Sequence, residues 1–169
     1  ISKGTRFVAG LPPRDGGAGG DPGPTTATGV FLGIKAAVRR ALGKDDLAGV
    51  HIAIQGAGSV GGGVARHAAA AGARITIADT NDALVRKLAG ELGAQTVAPA
   101  DIMTVEADVF SPCALGAILT EDSIAKLKAP IVAGGANNQL ATPSDGDRLH
   151  ARGILYAPDY VINAGGIIN

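Results

Sequence analysis

Apolar positions recur with two different periods along this chain. Over residues 25–43, Val30, Ile34, Ala37, Val38 and Ala41 return at three- and four-residue steps, which predicts a helix with one buried face. Thr25 or Thr26 offers an N-cap and Gly43 a stop. From residue 50 the pattern changes to short apolar runs separated by amphipathic segments. Residues 50–55, 74–79 and 108–113 read as strands, 96–98 as a short one, and 130–139 as a buried strand running into a glycine–asparagine loop. Residues 154–163 carry the material of a last strand. Between them, helices are predicted at 59–71 (closed by Gly72), 81–93, 120–127 (capped by Thr120) and 143–153. Regular alternation of this kind predicts an α/β fold, a doubly wound and mostly parallel sheet with helices on both faces. Residues 10–24 hold six glycines and four prolines and cannot sustain either period. The chain is therefore divided into a connecting segment at 1–24 and one folded domain at 25–169.

The most informative punctuation lies between the first strand and the next helix. Gly56-Ala57-Gly58-Ser59-Val60-Gly61 is a G-x-G-x-x-G sequence in the strand–turn–helix context that its chemistry needs. Gly56 makes the tight turn, Gly58 lets the backbone approach a pyrophosphate, and Gly61 lets the helix pack close to the strand. Free N–H groups and the positive end of the helix then face the phosphates, with Ser59 and Val60 in its first turn. This context narrows the fold to the Rossmann type. Asp79 ends the second strand 23 residues after Gly56. A carboxylate there accepts hydrogen bonds from ribose hydroxyls and repels a 2′-phosphate, which favours NAD over NADP. Arg74 is too far along the strand to be an obvious phosphate partner, whereas Arg86 lies close enough to complicate the choice. Gly62 and Gly63 prolong the glycine run at a cost of roughly 1 kcal/mol each in helix propensity, and close helix packing is the reason we expect.

Ligands in open α/β sheets bind beyond the carboxyl ends of the strands. Three segments there combine small residues with amides or hydroxyls: residues 111–116, 134–139 and 163–166. Cys113 and Ala114 in the first, Ala136 and Asn137 in the second, and Asn163 in the third are the cofactor-side candidates; asparagine both donates and accepts. Cys113 has no base beside it in sequence and reads as a small apolar thiol rather than a nucleophile. His51, His67 and His150 lie in separate elements with no metal-ligand spacing, so no metal site is expected.

Composition removes other classes. The chain has 169 residues, 46% apolar and 18% charged, as a globular domain does. Fifteen basic and fifteen acidic side chains cancel and aromatics make up only 3%, which argues against nucleic-acid partners. No apolar run approaches the ~20 residues that span a bilayer, so no membrane partner is expected. A single cysteine fits a reducing cytoplasm. The first residue is Ile1, and the chain ends on "VINAGGIIN"; both ends suggest a segment of a longer protein.

Several motifs, in order, resemble the glutamate/leucine/phenylalanine/valine dehydrogenases: "GDPGPTTATGVFLGIKAA", "IQGAGSVGGGVARHAAAAGARITIADTN", "DVFSPCALGAIL", "IVAGGANNQLA" and "GILYAPDYVINAGGIIN". The last is nearest to the leucine and phenylalanine branch. The resemblance implies NAD-dependent oxidative deamination of an apolar L-amino acid to the 2-oxo acid and ammonia. It places Thr26 and the loops of Ala114 and Asn137 at the nicotinamide end, gives the carboxamide to Asn163, and sets Val161 and Ile167 beside the substrate side chain. The family's catalytic lysines and aspartate belong to an N-terminal domain, and none of Lys3, Lys35, Lys44, Lys87, Lys126 or Lys128 matches them. This chain then supplies the cofactor half of a cleft, no catalytic residue of its own, and by itself negligible turnover. The full-length enzyme is expected to be a homo-oligomer. The competing reading is a non-catalytic NAD-binding module.

Overall fold

A computed structural model describes residues 20–168, without the side chains of Ile167 and Ile168. Most of the predicted connecting segment, including residues 10–19, lies outside the described residues. Helix α1 (Gly23–Leu42) precedes β1 (His51–Gln55), α2 (Ser59–Ala70), β2 (Arg74–Ala78), α3 (Asp82–Leu92) and β3 (Gln95–Thr96). A 3-10 turn (Ile102–Thr104), which the periodicity does not reveal, leads to β4 (Val109–Pro112). Then follow α4 (Glu121–Lys126), β5 (Ile131–Val132), α5 (Pro143–Ala151), β6 (Leu155–Tyr156), α6 (Asp159–Ile162) and α7 (Gly165–Ile168). The six strands form one sheet in the order β3-β2-β1-β4-β5-β6, with every pairing parallel. This is the Rossmann-type α/β fold expected from the alternation.

Strand side chains alternate between two buried clusters, as a sheet covered on both faces requires. Ile52 and Ile54, Ile75 and Ile77, Val109 and Ile131 pack with Val30, Ile34, Val64, Ala68, Val85 and Leu88 of α1, α2 and α3. Their neighbours Ala53, Phe110 and Val132 point the other way, against Ile102, Ile124, Leu127 and Leu149. Helices α1 and α2 approach so closely that a Cβ on Gly63 would lie 2.6 Å from the Cβ of Ala27. The glycine following the fingerprint therefore has a packing reason; Gly62 is tight too, 3.2 Å from the Ala57 carbonyl by the same measure.

The structure corrects three expectations. Helix α1 starts at Gly23, so neither Thr25 nor Thr26 is its N-cap. Pro24, which has no N–H to leave unpaired, occupies the first turn, and the Gly23 N–H donates to Asp21 Oδ1 at 2.9 Å. Thr26 Oγ1 instead donates to the Pro22 carbonyl at 2.9 Å. Ala41, assigned to the buried face of that helix, is exposed. The last strand ends at Tyr156, and residues 159–168 contribute helical turns rather than strand. Pro158 cannot donate to a ladder and stands at the start of α6. Gly165 then packs on α1, where a Cβ would meet the Thr25 carbonyl at 2.6 Å.

Helix α4 carries its predicted cap in full. Thr120 Oγ1 accepts from the Ser123 N–H at 3.2 Å, and Ser123 Oγ accepts from the Thr120 N–H at 2.8 Å. Thr120→Ala is expected to cost about 1 kcal/mol, lowering the melting temperature by a few degrees without moving the sheet. A thermal melt followed by circular dichroism measures this.

Candidate functional site

Strand order reverses at β1, which has β2 on one side and β4 on the other. The crevice beyond its carboxyl end is where a doubly wound sheet binds ligands. The chain leaves β1 through Gly56, at φ +106°, where an L side chain is strained and a Cβ would lie 2.9 Å from the Cys113 carbonyl. A Cβ on Gly61 would strike the Gly56 carbonyl oxygen and stand 3.1 Å from Cys113 Cβ. Gly58 differs. Its φ of −70° is ordinary, and a Cβ there would meet nothing within 4 Å among the described residues. The protein thus needs glycine at 56 and 61 for its own packing. At 58 the space that glycine leaves is open, at the N-terminus of α2, which has no side-chain cap and no acidic residue in its first turn. Ser59 Oγ donates to Asp21 Oδ2 at 2.7 Å, and Val60 packs towards Gly135.

Asp79 follows β2 directly and is half-buried. Its Oδ2 accepts the Ala57 N–H at 2.7 Å and its Oδ1 the Asn81 N–H at 2.8 Å. Partial burial pushes its pKa up, but the hydrogen bonds from Ala57, Asn81 and Thr80 outweigh this and hold the carboxyl below its ordinary value. An ionised carboxylate therefore stands beside the glycine loop and fixes its conformation. Arg74 and Arg86 are both exposed.

The three amide-bearing segments converge. The Ala136 N–H donates to the Pro112 carbonyl at 2.9 Å, and the Ala117 N–H to the Asn138 carbonyl at 2.7 Å, joining the first two. Asn163 Nδ2 donates to Asn137 Oδ1 at 2.7 Å, joining the third. Gly166 packs on Thr26, which brings the start of α1 to the same place. Ala114 and Asn137 are exposed, whereas Ala136 is buried. Burial pushes the Cys113 thiol up, against weaker hydrogen bonds from Ser111 and from the Gly135 N–H at 3.4 Å. Among the described residues no base touches it, and it stays a protonated packing group.

Two residues that carry this arrangement escape sequence reading. Gln139 is fully buried, and its Nε2 donates to the carbonyls of Gly134 and Ala136 at 2.7 and 2.9 Å, holding the second segment in shape. Asp159 ties that segment to α6. A Pro-Asp pair is a helix-start signal, but strand periodicity hides it here. Val161 is not brought into the cluster. It is 60% exposed and lines an apolar groove with Leu32, Gly33, Ala36 and Leu155, on the outer side of α1. The side chain of Ile167 lies outside what is described. The described residues contain no group of acidic, histidine and cysteine side chains that could hold a metal, and none of their helices is long and apolar enough to cross a membrane.

Comparison with known proteins places this geometry. The family model for glutamate/leucine/phenylalanine/valine dehydrogenase matches residues 83–169. The model for NADP oxidoreductase, coenzyme F420-dependent, matches residues 51–111, the segment with the glycine loop. A leucine dehydrogenase of Geobacillus stearothermophilus is 48% identical over 165 residues, covering 98% of this chain and 45% of its own. The crystal structure of L-tryptophan dehydrogenase from Nostoc punctiforme superposes with a TM-score of 0.86 at 44% identity, covering 88% of this chain and 45% of that one. Hetero-hexameric glutamate dehydrogenase from Thermus thermophilus gives 0.76 at 28% identity, with 95% and 41% covered. The chain thus spans less than half the length of these relatives. By its matched sequence, its parallel sheet and its glycine loop, it belongs to the glutamate/leucine/phenylalanine/valine dehydrogenase family, on the leucine/phenylalanine side.

Proposed function

We propose that this chain is the cofactor-binding half of an NAD-dependent dehydrogenase that oxidatively deaminates an apolar L-amino acid to its 2-oxo acid and ammonia. The observation that carries the proposal is the open space at Gly58, set between the uncapped start of α2 and the Asp79 carboxylate, in a chain of this family. Backbone N–H groups of the glycine loop, with Ser59 and Val60, receive the pyrophosphate. Asp79 receives the ribose hydroxyls and disfavours a 2′-phosphate. Thr26, Cys113, Ala114, Ala136, Asn137 and Asn163 border the nicotinamide, and Asn163 holds its carboxamide by turning its amide from Asn137. When bound, the cofactor supplies the hydride acceptor for the substrate α-carbon. This chain's own work is to bind and orient; proton transfers fall to the partner domain, and no catalytic residue is assigned here. Ile167, next to Gly166, is kept as a substrate-side position. Val161 is reassigned to the outer groove, because its side chain lies with α1 rather than with the amide cluster. The natural setting is a homo-oligomer of the full-length enzyme in the cytoplasm.

Calorimetric titration with NAD and, separately, NADP tests the cofactor half. Saturable binding that prefers NAD is expected; binding of neither nucleotide would remove the proposal. Joined to the N-terminal domain, the chain should deaminate an apolar amino acid such as leucine, valine or phenylalanine. Nucleotide binding without any such turnover would favour the non-catalytic module.

A further inference from the structure

Asp159 joins three segments, two through its side chain and one through its backbone carbonyl. Its Oδ2 accepts the Asn138 N–H at 2.8 Å, and its Oδ1 accepts the Tyr156 hydroxyl at 3.0 Å. Its own carbonyl accepts the Asn163 N–H at 2.9 Å, closing α6 on the residue whose amide reaches Asn137. Asn138 stands at φ +52°, a left-handed conformation uncommon outside glycine, though asparagine adopts it more readily than other side chains. On its other side, the Asn138 carbonyl accepts the Ala117 N–H at 2.7 Å. The backbone of Asn138 is thereby stretched between the 113–117 loop and Asp159, and Asn137 and Asn163 are the neighbours this arrangement aims.

We propose that Asp159 is a positioning residue for the nicotinamide end of the cofactor: it holds Asn138 in its left-handed conformation and so fixes where Asn137 and Asn163 stand. The inference rests on the cofactor reading above. It differs from a general stabilising role because Asp159 makes no contact with the glycine loop or with Asp79, which serve the adenosine end.

The test compares two ligands that share the adenosine pyrophosphate part. NAD and ADP-ribose are titrated calorimetrically into the chain and into its Asp159→Ala and Asp159→Asn variants, with circular dichroism as the check on folding. The unaltered chain should bind NAD more tightly than ADP-ribose. Asp159→Ala should lose about tenfold in NAD affinity, the equivalent of one hydrogen bond, while ADP-ribose binding stays within twofold. Asp159→Asn keeps one acceptor oxygen and the side-chain shape, so it should recover part of the NAD affinity; it also decides the matter should the alanine variant not fold. Equal losses for both ligands, or no loss for either, would overturn the inference, as would equal affinity of the unaltered chain for the two. If the unaltered chain binds neither ligand, the cofactor reading itself fails, and this inference fails with it.

Discussion

Alanine at position 61 is expected to damage fold and binding together, whereas alanine at position 58 should damage binding alone. At Gly61 the added Cβ meets the Gly56 carbonyl oxygen, which is backbone and cannot swing aside, and Cys113 Cβ at 3.1 Å. Either α2 moves away from the sheet or the turn at Gly56 opens, and overpacking of that kind costs about 1–3 kcal/mol. The displaced loop no longer presents its N–H groups, so nucleotide affinity falls too. At Gly58 the backbone sits at φ −70° and ψ −162°, a conformation open to any L residue, and the added Cβ has no neighbour within 4 Å among the described residues. Stability should change by no more than about 0.5 kcal/mol. If a pyrophosphate uses that space, the methyl group stands in its way and NAD affinity should drop by about tenfold or more. Urea unfolding and calorimetric titration of both variants separate the two effects. A Gly58→Ala chain that binds NAD as well as the unaltered one would mean that the open space is not the phosphate position.

The same contrast shows what the sequence can reveal. Strong periodicity with tertiary support reads correctly: β1, α2, β2 and α3 lie within a residue or two of their predicted bounds, and Asn81 and Gly93 cap α3. The fingerprint implies three glycine roles, and the two that depend on the protein's own packing match the close approaches at Gly56 and Gly61. Reading fails where a local signal is overridden. Residues 154–163 have strand-like apolar spacing, yet Pro158 stops the ladder and packing on α1 winds the remainder into helical turns. The apolar periodicity of Val161 and Ile162 reflects contact with α1: Ile162 is buried there, and a Cβ on Gly33 would lie 2.5 Å from its Cγ2. Gln139 and Asp159 were illegible for another reason. Gln139 acts through the carbonyls of Gly134 and Ala136 a few residues before it, and Asp159 through the distant Asn138 N–H; nothing in a single sequence announces which carbonyl or N–H a polar side chain will find.

Asp79→Ala should produce the second large effect, and its pH dependence carries a definite sign. The side chain serves the site twice: it accepts the Ala57 N–H, which shapes the glycine loop, and it is the proposed acceptor for the ribose. Losing hydrogen bonds to a charged acceptor costs about 1.5–3 kcal/mol, so NAD affinity should fall by roughly 10- to 100-fold. NADP loses the same loop geometry but escapes repulsion of its 2′-phosphate, so its affinity should fall less and the preference for NAD should contract. In the unaltered chain the Asp79 carboxyl is held below its ordinary value of 3.8 by the Ala57 and Asn81 hydrogen bonds. The folded pKa therefore lies under the unfolded one. Above about pH 4 the carboxylate contributes its full share of stability, and that share is lost as pH falls through the depressed folded value. Stability measured by urea unfolding between pH 3 and pH 7 should accordingly drop on the acid side, and the drop should be smaller in Asp79→Ala. Asp79→Asn separates the two roles, since an amide oxygen can still accept from Ala57 but carries no charge against a phosphate. It should keep more of the NAD affinity than the alanine variant while losing as much of the discrimination. An Asp79→Asn chain that still rejects NADP as strongly as before would locate cofactor selectivity outside this carboxylate, with exposed Arg86 the next residue to replace.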